Sequence, residues 1–223
     1  YSVVSLNVYH AVRSRWHAEC GYREVLAIAV PLILSTGSWS VQHFVDRMFL
    51  MWHSQEAVAA SMPAGMVNFT IMSLFIGTAA YVATFVAQYH GAGRPDRIGP
   101  AVWQGLYVAA IGGIVHLALI PVAGPIFRFV GHDPLVCEYE TVYFRVLCLG
   151  AAPAIAGSAM NGFFSGRGKP WPVMWVTFAS TAVNIVLNYG LIFGKWGFPE
   201  LGVKGAALAT VLAGCFGFMT LLV

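Results

Sequence analysis

Charge is the scarcest commodity in this sequence. Asp, Glu, Lys and Arg make up 9% of its 223 residues, against about a quarter in a soluble domain, so too few are present to coat a water-facing surface. Cysteine is scarce and unpatterned. Cys20, Cys137, Cys148 and Cys215 form no CxxC pair, so they read as helix-packing residues or single thiols and leave the redox compartment open. There is no GxSxG, no HExxH and no pair of neighbouring carboxylates at a spacing suited to catalysis, which argues against an enzyme. His43, His90 and His116 are scattered without metal-ligand spacing, which argues against a metal site. Two glycine loops, GAGRPDR (91–97) and GRGKP (166–170), lack the Walker spacing and a preceding strand, so they read as helix C-caps. Nothing points to a nucleic-acid partner or a bound cofactor.

What is abundant is apolar. Hydrophobic residues reach 58%, aromatic residues 14%, and there are 24 glycines; mean hydropathy is +0.72. This is the composition of a multi-spanning membrane protein, with glycines for close helix contact and aromatics for the bilayer interfaces. The chain starts at Tyr1 without Met and stops within the apolar run Leu221-Leu222-Val223, so the expectation is a piece of a longer protein. The first 21 residues are polar and basic and lack the uninterrupted apolar core of a cleavable signal.

The charges divide the chain into six expected spans. A cytoplasmic juxtamembrane lead occupies 1–23, and the lobe proper 24–223, with spans at about 24–52, 57–90, 98–127, 138–166, 171–194 and 202–223. The first has 21 uncharged residues, Val25 to Val45, enough for a helix to cross about 30 Å of hydrocarbon. Pro31 is expected to bend it. The second has 37 uncharged residues between Glu56 and Arg94, more than one crossing needs. Connections are short, so consecutive helices should be antiparallel neighbours. Arg13, Arg15, Arg23, Arg94, Arg97, Arg167 and Lys169 all fall on one side if the spans alternate. The positive-inside rule then puts the N-terminus and both glycine loops in the cytoplasm. Glu138 and Glu140 read as part of a polar lead on the opposite side.

Against this background the polar residues inside spans stand out. Asp46 arrives while the first span is still apolar, followed by Phe49, Leu50, Met51 and Trp52. It either marks the membrane boundary with Arg47 or lies embedded; Trp52 offers a better boundary six residues later, which favours embedding. An embedded acid usually faces a bundle interior or a watery cavity. Gln42 and His43 share its helical face. Asn184 and Asn188 sit at i and i+4 in the fifth span, so both amides point one way and need partners across the bundle. Their bland alternative is interhelical glue. Thr210 follows the small-residue run Gly205-Ala206-Ala207-Leu208-Ala209, and its alternative is a bond to its own i−4 carbonyl. Asn68 and Gln88 in the second span are further candidates for a cavity lining, and each is individually read as packing. Asp46 is the only carboxylate the sequence places among these groups.

Several stretches resemble one family. EVLAIAVPLILS (24–35) with VDRMFL (45–50) resembles the first helix of the multidrug and toxic compound extrusion (MATE) transporters. FVAQYHGAG (85–93) is similar to the end of their second helix, and NGFFSGRGKPWPVM (161–174) to their fourth-to-fifth connection. NIVLNYGLIFGKWGFPELGVKGAALAT (184–210) is similar to their fifth helix, the following loop and the start of the sixth.

The resemblance covers about residues 24–223. It implies an all-α integral membrane protein whose six transmembrane helices form the N-terminal lobe of a twelve-helix transporter. It implies secondary active export of cationic or amphipathic compounds in exchange for H⁺ or Na⁺ across a plasma membrane, the inner membrane in a bacterium. The partners are then the small-molecule substrates, the lipid bilayer and a C-terminal lobe of the same polypeptide. By the same resemblance Asp46, Asn184, Asn188 and Thr210 form an ion-coupling site. Some members have an aspartate where this chain has Asn188, so the site here has one carboxylate instead of two. Two other readings are a flippase for a lipid-linked precursor, of the same superfamily, and an integral-membrane transferase. The flippase needs several basic residues in the spans, and the transferase clustered Asp or His at a membrane face. The sequence leaves the substrate and the choice of H⁺ or Na⁺ open.

Overall fold

Long apolar runs closed by glycine and proline fold here as helices packed on one another. The structure, a computed structural model, describes residues 21–223 together with Trp16 and Ala18. Arg13, Arg15 and Cys20 lie outside the described residues. Among those described there is no strand. From Tyr22 onward the described residues form nine α-helices in order: α1 Tyr22–His53, α2 Gln55–Ala80, α3 Val82–Gly91, α4 Ile98–Leu119, α5 Ala123–Val130, α6 Pro134–Leu149, α7 Ala151–Gly166, α8 Trp171–Phe193 and α9 Gly202–Leu222. A single 3₁₀ turn, Pro95–Arg97, joins α3 to α4.

Five helical stretches are long and apolar enough to cross a membrane, with α2 and α3 counted as one across Tyr81. A sixth is α6 with α7, bent by 48° at Gly150. Pro153 lies three residues beyond the bend and has no backbone N–H to donate to the carbonyl of Leu149, which is one cause of such kinks. The α4 helix ends at Leu119, before Pro121, and the apolar residues after it form the separate short helix α5. α1 runs through Pro31 as one helix, and the Ser35 hydroxyl donates to the Pro31 carbonyl at 2.8 Å.

Small residues let the backbones meet. A Cβ on Gly205 of α9 would stand 2.5 Å from the Leu191 carbonyl of α8. One on Gly166 would stand 2.6 Å from the Ala83 carbonyl of α3. Van der Waals contact of this kind holds helices together where lipid removes the hydrophobic drive. One core cluster gathers Phe49, Leu50, Phe127, Phe144 and Ile192 near one end of the bundle. A second gathers Val82, Val86, Ile98 and Ile155 toward the other. At the first end His53 reaches Glu200 at 3.7 Å, tying the end of α1 to the α8–α9 connection.

α1 packs chiefly along α8, with α2 beside it. It otherwise shows a broad apolar face, including Ile33, Phe44 and Met51, each more than 60% exposed.

One carboxylate departs from the sequence-based expectation. Glu140, read above as part of a polar lead, is fully buried in α6. The helix starts at Pro134, with Asp133 as its N-cap accepting from the Leu135 N–H, so Glu140 lies two turns inside it rather than ahead of it.

Candidate functional site

Where α1 lies along α8, each helix turns a polar row toward the other. On α1 the row is Ser38, Gln42 and Asp46, spaced four apart so that they stack along one face. On α8 it is Thr181, Asn184 and Asn188. The Ser38 hydroxyl donates to the Thr181 hydroxyl at 2.9 Å, and Thr181 in turn donates to Gln42 Oε1 at 3.4 Å. Two turns along, Asn188 Nδ2 donates to Asp46 Oδ1. The same amide nitrogen donates to Asn184 Oδ1 at 2.9 Å. Asp46 is 6% exposed and both asparagines are fully buried.

These bonds leave two atoms over. Asn188 Oδ1 and Asn184 Nδ2 are buried with no hydrogen-bond partner among the described residues. An unpaired acceptor and an unpaired donor beside a buried carboxylate make a polar centre with spare capacity, whereas a purely structural network usually spends all its groups. Tyr143 of α6 is 9% exposed. Arg47 itself is exposed. The ion pairs among the described residues are His53–Glu200, Asp96–Arg97 and His132–Glu140, so Arg47 belongs to none of them.

The sequence-derived residues divide into two groups. Asp46, Asn184, Asn188 and Gln42 are brought onto this seam. Thr210 is half-buried on α9 and gives its hydroxyl to the Ala206 carbonyl at 3.1 Å, its bland alternative. His43 is exposed and sits edge-on to Trp39 at 4.7 Å. Asn68 is buried on α2, with its amide 3.9 Å from Cys148 Sγ of α6. Gln88 is exposed near the end of α3, a helix that packs chiefly on α4 and α7. Ser38 and Thr181 were missed. The signal was present in the four-residue step from Ser38 through Gln42 to Asp46, and in the steps of three and four from Thr181 to Asn184 and Asn188.

The geometry can be set beside known proteins. A profile of the MatE family matches residues 31–190, which include Asp46, Asn184 and Asn188. The chain belongs to the MatE family.

Among its MatE relatives, a probable multidrug resistance protein NorM of Synechocystis sp. is 32% identical over 212 residues, covering 95% of this chain and 46% of that protein. One of the same name from Bradyrhizobium diazoefficiens is 34% identical over 206 residues, covering 92% and 44%. The chain thus spans a little under half the length of these curated relatives. A solved outward-facing structure of a multidrug resistance MATE family transporter of the MOP superfamily superposes with a TM-score of 0.81 at 22% identity. That match covers 89% of this chain and 43% of the other, and it concerns the fold: an all-α membrane lobe of six spans. These are names of transporters and resistance proteins rather than enzymes, in line with the absence of a nucleophile motif.

Proposed function

We propose that this chain is the N-terminal lobe of a secondary active antiporter that exports cationic or amphipathic compounds in exchange for H⁺ or Na⁺. The observation that carries the reading is the α1–α8 seam, where the Asp46 carboxylate is buried against two asparagines with atoms to spare. Carboxylates inside membrane spans commonly mark ion or proton paths. The names of the MatE relatives support multidrug export, and the family resemblance supports ion exchange.

In this reading Asp46 is the group whose charge changes. Its carboxylate is neutralised by a proton, or by Na⁺ shared with amide oxygens of Asn184 and Asn188. Asn188 Oδ1, buried and unpaired, is the acceptor left free for either. With Asn188 neutral, the lobe presents one carboxylate at this point. Coupling requires the charged and neutralised states to favour opposite-facing conformations, since an ion shifts an equilibrium only by its differential affinity for the two states.

The test is export by the full-length protein, read as uptake of a fluorescent lipophilic cation from the medium into everted membrane vesicles. An imposed H⁺ or Na⁺ gradient should drive transport at least several-fold above vesicles without the protein. Equal dye movement with and without a gradient of either ion would reject the antiport reading.

A further inference from the structure

A second buried carboxylate lies outside the seam. Glu140 has no exposed surface; its Oε1 is 2.8 Å from His132 Nδ1, and its Oε2 is buried without any hydrogen-bond partner among the described residues. A buried carboxylate with a bare oxygen is costly unless a counter-charge lies beside it. His132 is the residue placed to supply that charge. Its side chain is 39% exposed, so one face of the imidazole meets the surroundings while Nδ1 meets the acid.

The turn that carries His132 is built to hold it there. Gly131 ends α5 in a left-handed conformation at φ 80°. Asp133 caps α6, and Cys137 Sγ approaches the His132 and Phe127 carbonyls at 3.4 and 3.5 Å. The other ionisable groups on the surrounding elements do not pair with Glu140. Glu56 of α2, Arg128 of α5, Lys204 of α9, and Asp133, Glu138 and Arg145 flanking or within α6 are all exposed. His116 of α4, Cys137, Tyr143 and Cys148 of α6 are buried, Tyr139 of α6 and Cys215 of α9 half-buried, and none of them has a hydrogen bond or ion pair to Glu140. Among the described residues the counter-charge therefore rests on His132 alone.

We propose that Glu140 and His132 form a proton-binding site separate from Asp46. The proton enters at the imidazole Nε2 from water at the end of the bundle that also carries His53 and Glu200. His132 then holds both ring protons, with Nδ1–H on Glu140 Oε1, and the pair is neutral as a whole. On release Nε2 returns its proton to water. The buried carboxylate keeps a neutral N–H donor but loses its counter-charge, so the contact between the α5–α6 turn and α6 weakens. The proposal stands whether or not Asp46 couples transport.

The test is thermal unfolding of the purified full-length protein in detergent between about pH 5.5 and 8.5. Relative to Glu140→Gln, the parent should lose on the order of 5 °C or more in Tm as pH rises, because the acid loses its partner charge. His132→Gln keeps a donor for Glu140 without a charge, so it should melt near the parent's high-pH value throughout. If Glu140→Gln fails to fold, the parent compared with His132→Gln carries the same test. Parallel Tm–pH curves for the parent and whichever variants fold would overturn the site.

Discussion

At the residue scale, the environment of each polar group sorts candidates that composition leaves equal. Asn188 and Thr210 both look like ligands in the sequence. Asn188 donates to Asp46 and Asn184 from one amide. Thr210 is satisfied inside its own helix by the Ala206 carbonyl. Asn188→Leu should therefore cut gradient-driven export by the full-length protein at least tenfold at matched expression, while Thr210→Val should change it by less than about twofold. Equal losses in the two variants would mean that Thr210 turns inward during the cycle. Glu140 shows the opposite failing of sequence reading. Its neighbours Glu138 and Arg145 are exposed, and charge density alone suggested an exposed lead. Only helical phase, set by the start at Pro134, distinguishes it from Glu138 two residues earlier.

At the element scale, the helices follow from runs without charge, and their breaks from proline and glycine. The boundaries at Gly91, Gly166 and Gly202 were legible because glycine and proline punctuate there. The division between α4 and α5 and the bend at Gly150 were less so. Both depend on how a helix containing proline packs on its neighbours, which composition does not encode. The α1–α8 pairing was half legible: Asn184 and Asn188 announced a polar face, yet their partner helix came only from the family resemblance. Close approach also separates glycines that look alike. Gly205→Val would drive its side chain into the Leu191 carbonyl, whereas a Cβ at Gly214 meets nothing within 4 Å. Gly205→Val should sharply reduce the yield of monodisperse protein in detergent, and Gly214→Ala should leave it unchanged. A wild-type yield for Gly205→Val would show that α8 and α9 can separate without loss.

At the scale of the whole molecule, six spans form a lobe in which α1 is held mainly on its α8 side and leaves much of its surface open. The relatives are about twice as long. Membrane character and family were legible from composition and from four ordered motifs. The site was legible in part, because burial and spare hydrogen-bonding capacity are properties of packed helices.

In the proposed cycle a charge change at Asp46 couples the ion to the cargo. Asp46→Asn keeps the shape and removes the charge, and its amide can still bond Asn188. The decisive measurement compares parent and Asp46→Asn full-length protein in everted vesicles at matched expression, with initial rates of dye transport under separate H⁺ and Na⁺ gradients. The variant should insert and fold but lose the gradient-dependent rate under the ion the parent uses. An Asp46→Asn rate equal to the parent's under both gradients would contradict it.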